Sequence, residues 1–529
     1  MGKKTGLAWS WALAFLLLFF LPAMAAPQTP VGHRYRCEVD AGQVTGTVCR
    51  ELFGTNVEWF NNGGGLTDAA GRVDGDLTRL AMEQGVSVVR FPGGTLSDFY
   101  HWENGIGPVS KRPVSPHHTD PGSSKNNFGS PELIRFCRQT GAHPLITVNA
   151  GTGTPEEAAA WVAYMNAPRH AARTADGFPD PVGVRIWEVG NELYLDGTGA
   201  EKAIALTPDR YAERFLAYAE KMRAADPSIE LAAIGVAGSY TVPFGPHGNW
   251  NRVVLSKAGG RIDYLSVHNA YFPVLYEQKT FDEKAVYQSL WGSALAVERD
   301  LRQIGALMKI YCKGENTGIA VTEWGPLFSF FDPAWRDHTG TMGAAVYVAR
   351  LFQVFMSNPM VRAAAYFKYT GSDFMAWVDA RKTPRTPYYV VKMYANHFGT
   401  RLVKSTIETP VFDTGKIGFA RAEKNVPVLS VISALDASGN RLFVNIVSCS
   451  WDRALKVDLN VRGFDGPWKI PAVARVLSAS SPTAGAGAGT PGGEAPTGIQ
   501  TLPVDPGRGI VIPPASVVII EITKDNGQT

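Results

Sequence analysis

The sequence predicts an α/β chain: a (β/α)8 TIM barrel followed by a C-terminal β-sandwich. Three observations point there. Eight apolar runs of strand length alternate with helical stretches. The runs end in polar or glycine-rich residues. Helical periodicity then stops near Leu402, where short β-rich segments take over. A doubly wound open sheet would also alternate strands with helices, but the count of eight and the polar strand ends favour a closed barrel.

In order, the runs cover 52–59, 86–91, 144–148, 184–189, 231–236, 264–268, 320–323 and 363–369. Candidate helices between and after them cover 131–140, 155–165, 208–225, 283–304, 343–356 and 388–397. Several open on Thr-Pro or Ser-Pro, or carry carboxylates in the first turn, as helix starts should. Beyond them the β-rich runs are 428–434, 441–447, 454–460 and 515–522. The stretch 478–498, rich in Ala, Gly, Pro and Thr, reads as a flexible loop inside the sandwich, since strand-like sequence resumes at Ile499. The expected division is a signal peptide over 1–25, a barrel over 50–400 and a sandwich over 401–525, to which a strand from 27–49 can be added.

Composition narrows the partners. Hydrophobic residues make up 45% of the 529, enough for a sizeable core. Lys3 and Lys4, the apolar stretch 7–21 and Ala23-Met24-Ala25 read as an export signal, so a secreted or periplasmic mature chain is expected, with no membrane span after cleavage. The formal charge is only +3, with no basic patch, which argues against nucleic acid and anionic membranes as partners. Oligomeric state is left open. Of the five cysteines, Cys37 and Cys49 flank an expected turn at Asp40-Ala41-Gly42 and form the best disulfide candidate; all five as reduced, buried thiols is the equal alternative. No Cys-x-x-Cys, Walker loop, His-Glu-x-x-His or nucleophile elbow occurs, so no cofactor and no metal are expected.

Two strands carry the chemistry. One runs Trp187-Glu188-Val189-Gly190-Asn191-Glu192, the other Ala320-Val321-Thr322-Glu323-Trp324-Gly325. These are strands four and seven, and the C-terminal strand ends form the active-site face of a barrel. Two carboxylates there can face each other across a glycosidic bond, one as nucleophile and one as acid/base. Glu188 sits earlier on its strand and reads as structural. Two close carboxyls cannot both ionise easily, so a raised pKa is expected for Glu192 and a low one for Glu323, held anionic by Arg90.

At these residues the chain resembles the clan A glycoside hydrolases, and within them the α-L-arabinofuranosidase family. Further motifs carry the likeness: Leu52-Phe53-Gly54-Thr55-Asn56-Val57-Glu58, Val89-Arg90-Phe91-Pro92-Gly93-Gly94, Tyr100 to Pro108, and Val148-Asn149-Ala150-Gly151-Thr152-Gly153-Thr154-Pro155. The resemblance implies Glu192 as general acid/base and Glu323 as nucleophile. It implies Glu58 and Asn149 at the sugar, Asn191 on the 2-hydroxyl and Arg90 on the nucleophile's carboxylate. Tyr271 or His268 would donate to Glu323, and Trp102 would be an apolar wall. Arg90 also reads as a buried ion-pair partner, Trp102 as loop packing and His268 as a core histidine. The chain departs from the family at Thr95, at Leu193 to Gly197 and at Gly325-Pro326. Those positions line the sugar pocket, so the likeness speaks to reaction type and less to the sugar.

The implied activity is retaining hydrolysis of plant or microbial poly- or oligosaccharide, as an exo-acting α-L-arabinofuranosidase. An endo-β-glucanase, xylanase or β-xylosidase on the same barrel is the alternative, with Trp250, Trp291, Trp324 and Trp377 as candidate sugar platforms. A catalytically inactive carbohydrate-binding protein is the alternative of another class; the presence of both glutamates speaks against it.

Overall fold

The computed structural model describes residues 33–525, apart from 118–119, 197–198, 239–247, 278, 313, 315–316, 372–374, 488–489 and 491–497. The export signal read at 1–25 lies outside them. Eight parallel strands close into a barrel: β1 Gly54–Asn56, β2 Val88–Phe91, β3 His143–Val148, β4 Ile186–Val189, β5 Glu230–Val236, β6 Tyr264–His268, β7 Gly318–Trp324 and β8 Val361–Tyr366. Each is followed by a helix: α1 Gly75–Gln84, α2 Ser130–Thr140, α3 Pro155–Asn166, α4 Pro208–Ala225, α5 Trp250–Ala258, α6 Glu283–Tyr311, α7 Met342–Ser357 and α8 Thr386–His397. Capping side chains start many of them. Asp74, Thr154, Thr207, Asp282 and Thr341 each accept a backbone N–H of the first turn. α1 and α5 were absent from the sequence reading.

Inside the barrel, Val88, Leu145, Ile186, Ala232, Tyr264, Ala320 and Ala363 form a small apolar plug. Strand periodicity is two, so the residue two further along points inward as well, one layer up. That layer is polar: Asn56, Arg90, Thr147, Glu188, Ser266 and Thr322, all buried. The plug supports it from below.

The second domain hydrogen-bonds as one nine-stranded sheet, in which Arg34–Thr47 lies between Arg401–Ile407 and Leu455–Arg462. Val457, Ile510 and Ile512 from one end share a core with Ala474, Val476 and Ile520 near the other, so the sheet folds over on itself as a sandwich. Its other face, through Phe443, Val447, Val517 and Ile519, joins the core of the barrel helices. The 478–498 stretch connects two paired strands, Ala472–Leu477 and Gln500–Val504. Its described part docks on the start of α7, where Met342 and Gly343 donate to the Ala484 and Pro482 carbonyls.

The N-terminal strand corrects two expectations. Asp40-Ala41-Gly42 is no turn: Arg34–Thr47 runs through as one strand, with irregular register between Asp40 and Gly46. Cys37 therefore lies near one end and Cys49 beyond the other. At roughly 3.3 Å per residue they are held far past the about 6 Å Cα separation of a disulfide. Both are free thiols, as are Cys137, Cys312 and Cys449.

Candidate active site

Arg90, on β2, organises the polar layer. Its Nε donates to Glu188 at 2.7 Å and one Nη to both Asn56 and Glu323, at 2.9 and 2.8 Å; the other Nη donates to Asn191 at 2.8 Å. A guanidinium suits this fixed fork of acceptors. Burial alone would lower its pKa, but the Glu188 and Glu323 charges raise it overall. Glu188 also accepts from Thr147, Thr322 and Ser266. Burial pushes its carboxyl up, yet Arg90 and these donors hold it below the usual carboxylate range. It is a structural anion, as its early strand position suggested.

Glu323 enters the same space by a local irregularity. Thr322 and Glu323 are neighbours and in a regular strand would face opposite ways. The register of β7 against β6 shifts between Val321 and Glu323, and such a bulge re-aims a side chain. Both residues now face inward, Thr322 bonding Glu188 and Glu323 bonding Arg90. Tyr271, beyond β6, donates to the second Glu323 oxygen at 3.1 Å. The Gly93-Gly94 turn passes directly over the carboxylate. A Cβ at Gly94 would lie 2.7 Å from Glu323 Oε1.

Glu192 hangs over the barrel from the other side. Gly190 and Glu192 both have positive φ, 78° and 43°, and these left-handed residues turn the chain back after β4. Asp98 pins the turn, accepting the Asn191 N–H at 2.8 Å and the Ala150 N–H at 3.0 Å. Its burial pushes it up to about 7 despite those bonds. His268 joins the two glutamates. Its Nδ1 lies 2.8 Å from Glu192 Oε1 and 3.9 Å from Glu323 Oε2, which caps the separation of those oxygens at about 7 Å, the lower edge of the inverting range and open to the ~5–5.5 Å of retaining enzymes. Its Nε2 faces Thr322 Oγ1 at 3.0 Å, and Tyr194 adds a bond to Glu192.

The protonation of this pair corrects the expectation for Glu192. Burial raises its pKa, but His268, Tyr194 and Arg90 together outweigh burial, and the carboxyl sits below its ordinary value. Burial lowers that of His268, while Glu323 and Glu192 raise it overall. The expectation weighed the second carboxylate and gave the imidazole to Glu323, whereas His268 lies nearer Glu192.

Other expected site residues divide. Arg90, Asn191, His268 and Tyr271 join the carboxylates. Asn191 Oδ1 is engaged by Arg90, while its buried Nδ2 has no partner among the described residues. Glu58 lies against Gly93 and pairs with Lys368, just beyond β8. Trp102 does not line the site: it is buried, stacked on Trp161 at 6.0 Å, with its indole N–H on the Glu157 carbonyl. Asn149 is turned into its own loop, accepting from the Thr152 and Gly153 N–H groups and donating to the Tyr100 carbonyl. Trp250, Trp291, Trp324 and Trp377 are fully buried and offer no platform. Asn56, Asp98, Thr147, Tyr194, Ser266, Thr322 and Lys368 were missed. Counting by twos from the apolar plug residues would have found Thr147, Ser266 and Thr322.

Known proteins resemble this chain in sequence and fold. Residues 81–268 match the family model described as the α-L-arabinofuranosidase 1 domain. An intracellular exo-α-L-arabinofuranosidase of Bacteroides ovatus is 26% identical over 77% of this chain and 78% of its own length. An intracellular exo-α-(1->5)-L-arabinofuranosidase of Streptomyces lividans is 27% identical over 75% of this chain, which spans 64% of that relative. The α-L-arabinofuranosidase of Thermotoga maritima, solved as an arabinose complex, superposes with a TM-score of 0.77 at 25% identity, over 92% of this chain and 100% of its own. The chain is a clan A glycoside hydrolase, most similar to the α-L-arabinofuranosidase family. Among the described residues of this glycoside hydrolase, no helix is long and apolar enough to cross a membrane, and no group of three or more His, Cys, Asp or Glu is placed to hold a metal ion.

Proposed function

We propose that this hydrolase is an exo-acting, retaining α-L-arabinofuranosidase with Glu323 as nucleophile and Glu192 as general acid/base. The observation that carries the roles is the meeting of both carboxylates at His268 Nδ1, at 2.8 and 3.9 Å. Glu323 is held by Arg90 and Tyr271, which orient its carboxylate. It attacks the anomeric carbon, the glycosidic C–O bond breaks, and the leaving oxygen takes a proton from Glu192. A water, deprotonated by Glu192, then attacks the same carbon and frees Glu323. The proton for the first step comes from the hydrogen bond between Glu192 and His268, 2.8 Å long, in which it can sit on either group. The unpartnered Asn191 Nδ2 suits an acceptor hydroxyl of the sugar.

The sugar and the exo mode rest on the names of the relatives. A panel of nitrophenyl glycosides tests them: turnover on the α-L-arabinofuranoside should exceed that on every other sugar. Dominant turnover of the β-D-xyloside, or internal cleavage of xylan or β-glucan, would replace the reading with the xylosidase or endo-glycanase alternative. We also propose export, on Lys3, Lys4, the apolar 7–21 stretch and Ala23-Met24-Ala25. N-terminal sequencing of the chain recovered outside the cytoplasm should begin just after Ala25; an intact N-terminus in the cytoplasm overturns it.

A further inference from the structure

Glu192 and Glu323 belong to different strands, β4 and β7, and a third segment reaches both. It is the 3-10 turn Thr95–Phe99, which follows β2. Just before it, Gly94 lies over Glu323, where an added Cβ would come within 2.7 Å of Oε1. Near its end, Asp98 accepts the Asn191 N–H at 2.8 Å, one residue before Glu192. The turn is short and internally bonded: Ser97 and Tyr100 donate to the Gly94 and Ser97 carbonyls, at 2.9 and 3.2 Å. It spans the site as a strut with one glutamate at each end.

Asp98 is itself fixed from a third side. Its other side-chain oxygen accepts the Ala150 N–H at 3.0 Å, and its carbonyl accepts both the N–H and the hydroxyl of Thr152, at 3.1 and 2.9 Å. A Cβ on Gly151 would meet that carbonyl at 2.7 Å, so glycine there lets the loop after β3 close on Asp98. The side chain is fully buried and its partners are backbone N–H groups; no cation pairs with it among the described residues. Burying a carboxyl without a cation is costly, and packing alone would be served by an apolar residue. A carboxyl can accept at both oxygens, whereas an amide of the same shape accepts at one and donates at the other. Aspartate thus suits two converging N–H groups, and one of these belongs to the turn that carries Glu192. That turn needs holding, because Glu192 stands at φ 43°, a left-handed conformation unfavourable for a residue with a Cβ.

We propose that Asp98 is the positioning residue of the acid/base: by holding the Asn191 N–H it places the Glu192 carboxyl over the bond to be cleaved, without touching the substrate. The inference rests on the proposed role of Glu192 and adds the residue that sets its place. Arg90 holds the Asn191 side chain and Asp98 its backbone. Glu323 does not depend on Asp98, since Arg90 and Tyr271 hold its carboxylate.

The test compares Asp98→Ala and Asp98→Asn with the wild-type chain on aryl glycosides of rising leaving-group pKa. In Asp98→Ala, kcat/KM should fall by about tenfold or more on the poorest leaving groups and by less than about twofold on a dinitrophenyl glycoside, whose departure needs no proton. Asp98→Asn, which keeps the shape and one acceptor, should show the same selectivity with a smaller fall. On the activated substrate kcat should drop, since Glu192 also has to activate the water, and azide should raise it again. Azide attacks the anomeric carbon of the glycosyl-enzyme without giving up a proton, the C–O bond to Glu323 breaks, and the glycosyl azide keeps the substrate's configuration. A crystal structure of either variant should show Glu192 drawn away from His268 Nδ1, 2.8 Å distant in the wild type, with Glu323 still on Arg90. A uniform fall across the series, an azide product of inverted configuration, an unmoved Glu192, or loss of the fold in both variants each overturns the proposal, the last by making Asp98 a residue of stability. If Glu192→Gln shows no leaving-group selectivity, the proposed role of Glu192 fails, and the displacement of Glu192 in the Asp98 variants still decides whether Asp98 holds it.

Discussion

At the residue scale the two proposed roles separate experimentally. Glu323→Ala should abolish hydrolysis of an aryl arabinofuranoside, and azide should restore turnover by filling the space left, giving a glycosyl azide of inverted configuration. A retained azide, seen by NMR of the product, would remove Glu323 as nucleophile. Glu192→Gln should slow substrates with poor leaving groups far more than activated aryl glycosides, because only the former need a proton. The same variant should lower the His268 pKa, read by NMR of its imidazole, since His268 loses one of the two carboxylates that raise it. Equal slowing of both substrates, with an unmoved His268, would turn attention to Glu188 or Glu58. The sequence made both glutamates legible because each ends an apolar run. It could not show that Asn149 would be consumed by its own loop and Trp102 by α3, since side-chain direction in a loop follows from the contacts the fold brings to it. Asp98 was equally hidden: its role is to accept two backbone N–H groups from other loops.

At the scale of elements, the strand ends shape the site as much as the side chains do. Gly94 shows how closely backbone and carboxylate approach. An added methyl would sit 2.7 Å from a Glu323 oxygen that Arg90 already holds. Gly94→Ala should therefore move the carboxylate and leave the barrel standing. We expect kcat to fall at least tenfold, or about 1.4 kcal/mol of transition-state stabilisation, with little change in melting temperature. Wild-type kcat in Gly94→Ala would mean that the turn gives way instead. The eight strands were legible because buried parallel strands are continuous apolar runs. α1 and α5 were not, being short, at ten and nine residues; α1 has the Asp74 cap, whereas no capping bond starts α5 at Asn249. The bulge in β7 leaves no trace in the residue types, yet without it Thr322 and Glu323 could not share one interior.

At the scale of the whole molecule, the sandwich and barrel are joined through a buried polar contact. Asn445, on the sheet, accepts from Gln353 of α7 and Tyr394 of α8, at 2.7 and 2.5 Å, and donates to the Val518 carbonyl. Asn445→Ala strands two buried donors at about 1–3 kcal/mol each, a good part of a stability on the order of 5–15 kcal/mol. Because the sheet shares the core of the barrel helices, the calorimetric transition should shift down by several degrees as one peak; a split peak would show that the domains unfold independently. The pH dependence of that stability has a sign fixed by the site. Glu188 and Glu192 lie below their ordinary value of 4.5 in the folded chain, so their contribution is present above that value and is lost as pH falls through the depressed folded pKa values. His268 lies above its ordinary 6.5, so its contribution is full below 6.5 and is lost as pH rises through its folded pKa. Asp98, at about 7 against an ordinary 3.8, binds a proton in the folded chain that the unfolded chain has released, so stability declines across that interval as pH rises. The melting temperature should therefore peak at mildly acidic pH and fall towards pH 8. Asp98→Asn should flatten the decline between about pH 4 and 7, because it removes the titrating proton, and lower the maximum, because one of the two pinned N–H groups would then face an amide NH2. A decline of unchanged slope in Asp98→Asn would remove Asp98 from this account.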